Sequence, residues 1–198
     1  MNRVLALLLC LLVTGSIGAA ESAAARAGAA LKAGVFEPPR TAPEFALQGS
    51  DGGELKLGRY RGKVVLLSFG YTNCADVCPT TLATLARARK LLGKAADAVQ
   101  VVYVTVDPER DDAARMKNYL GVFDPAFVGA TGKPEALAAV RKNYGIVAVK
   151  HPMGDSGYAM EHSSSIFLID RQGKLRAVMP YGHPAGDFVH DIQLLLAQ

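Results

Sequence analysis

From Pro43 onward the apolar positions are dense and regular enough to predict a string of short elements. Phe45 and Leu47 alternate before Gly49-Ser50-Asp51-Gly52-Gly53, and Leu55 and Leu57 alternate after it, the pattern of a hairpin. Val64-Val65-Leu66-Leu67-Ser68-Phe69 is an apolar run of strand length, as a central strand covered on both faces requires. Within residues 79–92, Leu82, Leu85, Ala86 and Leu92 recur at helical spacing, with Pro79 in the first turn and Gly93 after the last. Residues 99–106 predict a second buried strand. Residues 111–120 and 134–144 predict helices followed by Gly121 and Gly145, with a short strand at Phe127 and Val128 between them. Apolar runs at 166–169 and 175–179 flank Asp170-Arg171-Gln172-Gly173, a hairpin turn. Phe188, Ile192, Leu195 and Leu196 give residues 188–196 one apolar face, the mark of a terminal helix. Residues 146–161, with Pro152, Gly154, Asp155, Ser156 and Gly157, resist assignment to one element: they are expected only to be exposed, with a flexible hairpin beside the last strand pair as one arrangement open to them.

The order β-α-β-α-β-α-β-β-α, entered through an N-terminal hairpin, implies an α/β domain over residues 43–198. Its layout is a thioredoxin-like mixed sheet with helices on both faces. Residues 21–42 are Ala- and Gly-rich and pass through Glu37-Pro38-Pro39-Arg40, which reads as a flexible linker. Ahead of them, Asn2 and Arg3 precede an apolar run over 4–13, and small residues continue to Ala20. That sequence describes a secretory signal peptide over residues 1–20, cleaved after Ala20. The alternative is an uncleaved anchor, since residues 4–20 reach the lower edge of a spanning helix. Either reading exports the domain, to the periplasm or to the periplasmic side of an inner membrane. Cys10 lies in the apolar core without small residues just before it, which does not fit a lipid-modified cysteine.

Composition narrows the picture further. With 198 residues, 50% hydrophobic and 20% charged, the chain is neither disordered nor, having one apolar stretch, a polytopic membrane protein. Its net charge of +4 comes from scattered Lys and Arg with no basic run, so no nucleic-acid groove is expected. Removal of residues 1–20 takes Cys10 with it and leaves Cys74 and Cys78. A bridge across three intervening residues would barely restrict the unfolded chain, so the pair is read as chemical rather than as a staple.

Both thiols lie where the strand ending at Phe69 turns into the next helix, and helix-start N–H groups favour thiolate over thiol. A thiolate serves equally to attack a disulfide and to ligate a soft metal. Thioredoxin-type redox motifs place two residues between the cysteines; here Ala75, Asp76 and Val77 intervene. The longer loop lets both sulfurs face one ion. Two thiolates are half of a structural zinc site, but they are a good start on a Cu(I) site that a third ligand completes. The candidates for that ligand are His151, His162, His183 and His190. His190 lies on the terminal helix, His183 in a loop and His151 in the exposed stretch. His162 directly precedes Ser163-Ser164-Ser165-Ile166, the entry to the penultimate strand, which in a thioredoxin-like sheet lies near the start of the first helix. It is the favoured third donor.

The chain resembles the SCO/SenC family of copper-binding assembly factors for cytochrome c oxidase. The resemblance rests on Phe69-Gly70-Tyr71-Thr72-Asn73-Cys74-Ala75-Asp76-Val77-Cys78-Pro79-Thr80-Thr81-Leu82 and on Val104-Thr105-Val106-Asp107-Pro108-Glu109-Arg110-Asp111. His162-Ser163-Ser164-Ser165-Ile166-Phe167-Leu168-Ile169-Asp170 completes it. It implies a thioredoxin-like domain on the outer face of a respiratory membrane, with a copper ion held by Cys74, Cys78 and His162. It also implies delivery of copper, or thiol reduction, at the dinuclear CuA site of the oxidase. The copper-bearing oxidase subunit is then the partner, alongside a periplasmic thiol reductant or copper donor. Asp107 matches an acidic position near the metal; the plain alternative is that Asp-Pro merely ends a strand and starts a turn. Many relatives keep an uncleaved anchor, whereas this N-terminus reads as cleavable.

Two functions compete. One is a copper metallochaperone that turns over no substrate. The other is a thiol-disulfide oxidoreductase acting through Cys74 and Cys78, in which a Cys74–Cys78 disulfide forms and opens. A peroxide-reducing enzyme would need an activating Arg in the cysteine loop, and Arg59 and Arg61 lie too far back.

Overall fold

A strand buried at every position must lie inside a sheet covered on both faces, and the apolar runs over 64–69 and 166–169 do so. The computed structural model describes residues 30–154 and 157–198. Its strands are β1 (Gly34–Thr41), β2 (Ala46–Gly49), β3 (Glu54–Lys56), β4 (Val64–Gly70), β5 (Val99–Thr105), β6 (Val128–Thr131), β7 (Ala148–Pro152), β8 (Tyr158–His162), β9 (Ile166–Ile169) and β10 (Lys174–Met179). The helices are α1 (Val77–Leu92), α2 (Ala113–Gly121), α3 (Pro134–Tyr144) and α4 (Ala185–Leu196). Eight strands form one sheet in the order β1-β10-β9-β4-β5-β6-β2-β3, with β7 and β8 paired separately. Every residue of β4, β5 and β9 is buried.

Only β4–β5 and β5–β6 run parallel. These are the pairs joined by α1 and α2, because a parallel return needs a long crossover. The remaining pairs of this thioredoxin-like mixed sheet are antiparallel. The predicted N-terminal hairpin is β2–β3, with Leu47 directly opposite Leu55. The turn after Ile169 joins β9 to β10, in which Phe167 faces Val178. Phe69 of β4, Tyr144 of α3 and Phe167 of β9 meet with ring centroids 5.2 to 6.1 Å apart. This aromatic knot fixes the C-terminal end of β4, from which the cysteine loop departs.

The linker reading of residues 21–42 fails from Gly34 onward. Residues Gly34–Thr41 form edge strand β1, antiparallel to β10, with Gly34 opposite Val178 and Thr41 opposite Lys174. The register shifts between Val35 and Arg40, around Pro38-Pro39. An edge strand tolerates prolines that a central strand would reject, and β1 is largely exposed, so neither alternation nor apolarity marked it. Just before it, the buried Asp191 carboxylate of α4 accepts the Lys32 and Ala33 N–H groups at 2.7 and 2.9 Å. The folded domain therefore begins about ten residues earlier than the sequence pattern indicated. The signal-peptide reading of residues 1–20 and the linker residues before 30 lie outside the described residues.

The stretch 146–161, expected only to be exposed, carries the antiparallel pair β7–β8, and β7 is mostly exposed. Exposure does not extend to all of it: Ile146 is buried, and Tyr158, Ala159 and Met160 are half-buried. Among the described residues no helix is long and apolar enough to cross a membrane.

Candidate metal centre

β4 ends at Gly70, whose carbonyl accepts the Val106 N–H at 2.8 Å, so the chain leaves the sheet tied to β5. A built Cβ on Gly70 would stand 2.9 Å from the Cys78 sulfur and closer still to the Tyr103 hydroxyl. Glycine is required here by close approach rather than by backbone angle. The loop then passes Tyr71, with the Cys74 N–H reaching back to the Tyr71 carbonyl at 3.4 Å, and enters α1.

Helix α1 starts without a side-chain cap, since Asp76 does not bond back. Instead the Cys74 sulfur accepts the Cys78 N–H at 3.4 Å, satisfying one of the open donors of the first turn. Burial alone would raise the Cys74 pKa. The Cys78 thiol, the Asp76 and Cys78 N–H groups and the Tyr71 hydroxyl overcome it and hold the thiol below its usual value. Cys78 is the opposite case. It is buried, and burial pushes its pKa up to about 12, with Tyr103 opposing and the Cys74 sulfur adding to the rise.

His162 ends β8, and its Nε2 stands 3.4 Å from the Cys78 sulfur. Its Nδ1 lies 2.8 Å from the Ser163 carbonyl. A carbonyl only accepts, so the proton is on Nδ1 and the Nε2 lone pair points to the sulfur, the state a metal-ligating imidazole needs. Burial lowers the His162 pKa, with the Ser163 carbonyl partly opposing. The Tyr71 ring meets the imidazole edge-on at 5.9 Å. The structure thus gathers Cys74, Cys78 and His162 at one end of β4. His151 instead pairs with Glu161 at 3.0 Å, His183 with Asp187 at 2.9 Å and His190 with Asp191 at 2.9 Å. Two soft sulfurs and a neutral imidazole suit a soft ion such as Cu(I). Among the described residues no group of three His, Cys, Asp or Glu side chains stands at metal-holding distances.

Asp107 is buried, and both its oxygens are occupied: Arg110 Nε donates to one and the Tyr158 hydroxyl to the other at 2.7 Å. Asp111, which the sequence marked only as the start of a helix, is wholly buried. It accepts the Thr72 N–H at 3.0 Å, the Thr72 hydroxyl at 2.5 Å and the Thr105 hydroxyl at 2.7 Å. It therefore anchors the loop two residues ahead of Cys74. Tyr71, Tyr103, Arg110 and Tyr158 also went unnoticed as site residues. An acidic residue four positions after Asp107 was visible, but nothing in the sequence showed that it points inward.

The profile of the SCO1/SenC family matches residues 35–197. The chain belongs to the SCO1/SenC family. Among relatives of this SCO1/SenC chain, the mitochondrial SCO2 homologue of Mus musculus is 37% identical over 133 residues, covering 66% of this chain and 52% of that protein. The chain thus matches about half the length of that relative. The structure of Bradyrhizobium japonicum ScoI with copper bound superposes with a TM-score of 0.73 at 37% identity, covering 78% of this chain and 99% of that one. More distant is BsSco, described through a disulfide switch and as a member of the Sco family of cytochrome c oxidase assembly proteins. Its TM-score is 0.64 at 25% identity, covering 80% of this chain and 95% of that one.

Proposed function

We propose that this SCO1/SenC chain is an exported copper metallochaperone that carries one copper ion on Cys74, Cys78 and His162. Its destination in this reading is the dinuclear copper centre of cytochrome c oxidase, with the oxidase's copper-bearing subunit as partner. The observation that carries the reading is the His162 imidazole: its Nδ1 is committed to Ser163, and its Nε2 is turned to the Cys78 sulfur. A dithiol redox pair has no need of that arrangement. The copper-bound ScoI structure and the oxidase-assembly role given for BsSco support the cargo and the destination. Residues 1–20, as a signal peptide or anchor, supply the export.

Competition with a Cu(I) chelator on the reduced chain tests this reading. Cys74→Ser, Cys78→Ser and His162→Ala should each weaken binding by more than about a hundredfold, as loss of a ligand exceeds loss of a supporting residue. His151→Ala and His183→Ala should bind as the parent does. Closing a Cys74–Cys78 disulfide removes both thiolates and should abolish uptake. Equal affinity across the histidine variants, or equal uptake by the oxidised chain, refutes the ligand set.

The unequal thiols favour a second reading, thiol-disulfide exchange. Cys74, half-buried and ionised more readily, would attack a partner disulfide, forming a mixed disulfide and releasing one partner thiolate. Cys78 would then lose its proton and displace the second partner thiolate, leaving Cys74–Cys78 oxidised and the partner reduced by two electrons. Reduction of a disulfide-bonded oxidase copper subunit by the metal-free chain, unchanged in His162→Ala, would decide for it.

A further inference from the structure

The β7–β8 hairpin carries His162 but belongs to no larger sheet. A two-stranded hairpin has little stability of its own in water, so its position depends on what grips it. At its base, the Ser163 N–H donates to the Val147 carbonyl at 3.0 Å. At the other end of β8 the grip is Tyr158. Its hydroxyl donates to buried Asp107 at 2.7 Å, and its carbonyl accepts Arg110 Nη1 at 3.0 Å. The Arg110 guanidinium lies 3.8 Å from the ring centre and the Lys150 ammonium 3.9 Å from it. Each cation lies within cation–π reach of the ring, a favourable contact that helps to hold it in place. Lys150 is itself paired with Glu109 at 2.6 Å.

The grip continues inward. Thr105 Oγ1 accepts the Asp107 N–H at 2.9 Å and donates to Asp111 at 2.7 Å, and Asp111 holds Thr72. One hydrogen-bonded chain thus runs from the strand bearing His162 to the loop bearing Cys74. Tyr158, Met160 and His162 alternate onto the same face of β8. The Tyr71 hydroxyl meets both the Met160 N–H and the Cys74 sulfur.

We propose that Tyr158, gripped by Asp107 and Arg110, is a positioning residue of the metal centre: it sets where the His162 Nε2 stands relative to the Cys78 sulfur. In its bearing on copper the proposal rests on the metallochaperone reading. Asp107 acts here through Tyr158, and not as a ligand.

The test uses the full chain, reduced, with Tyr158→Leu, Tyr158→Phe, His162→Ala and the double variant His162→Ala/Tyr158→Leu. Tyr158→Leu should weaken Cu(I) binding about tenfold, as loss of a hydrogen bond to a charged group predicts. Tyr158→Phe keeps the ring in contact with both cations and should lose less. The double variant should bind no more weakly than His162→Ala alone, because the two act through one imidazole. In the metal-free chain, the NMR signals of the His162 imidazole should shift or broaden in both Tyr158 variants. Parent-like copper affinity with unchanged His162 signals overturns the proposal, and so does an additive loss in the double variant. If Tyr158→Leu does not fold, unchanged His162 signals in Tyr158→Phe overturn it. If the parent chain binds no copper, the metallochaperone reading falls, and the His162 signals alone decide the positioning role.

Discussion

Replacing Asp111 with Ala removes the carboxylate that ties the cysteine loop to the sheet. In the native fold that carboxylate is fully buried and accepts three hydrogen bonds, two from Thr72 and one from Thr105. Arg115 Nε lies 3.8 Å away. Hydrogen bonds to a charged group contribute about 1.5–3 kcal/mol each, and the sum is not additive. Thr72 is half-buried and recovers part of its loss by binding water, whereas the Thr105 hydroxyl is wholly buried and has no such recourse. A net loss of about 3 kcal/mol follows, or about 6–12 °C in melting temperature for a chain of this size. Cys74, two residues from Thr72, should also lose its fixed relation to the Cys78 N–H. Thermal melting of the reduced chain, with the rate of Cys74 alkylation by iodoacetamide beside it, measures both effects. A melting point within about 2 °C of the parent, together with an unchanged alkylation rate, would refute the anchoring argument. A lowered melting point with an unchanged rate would make Asp111 a support of the sheet alone.

Gly70→Ala places a methyl group against the Tyr103 hydroxyl and the Cys78 sulfur, both buried, and should destabilise by about 1–3 kcal/mol; a parent-like urea midpoint contradicts the close approach. In the reduced native chain, peptide mapping after alkylation at rising pH should show Cys74 reacting first. Its rate should climb with pH through a midpoint below the ordinary thiol value, while Cys78, held up at about 12, stays nearly inert. Faster labelling of Cys78 than of Cys74 would reverse the assignment.

Much of the fold was legible because its centre is periodic. Val64–Gly70 and Val99–Thr105 are buried throughout, and so they show as apolar runs; Pro134–Tyr144 shows as a helix between Pro and Gly. Strand β1 was not legible, since its pairing is backbone to backbone and its side chains face water. At the site, the cysteines and His162 were legible from residue type and position. Asp111 and Tyr158 were not: an aspartate before a helix usually caps it, and a tyrosine in a polar hairpin usually faces solvent. What distinguishes them is the partner each meets, Thr72 39 residues earlier and Asp107 51 residues earlier, and such separations leave no local pattern.

The clasp of Asp191 on the Lys32 and Ala33 amides has a mechanical consequence. Strain entering the domain through its N-terminal approach is met first by that carboxylate and by edge strand β1. Strand β10 stands between this edge and β9, and β4 lies one strand further in. Force on Lys32 would therefore load the margin of the sheet first, and the same carboxylate would pass part of it through α4 to α1, the helix that bears Cys78.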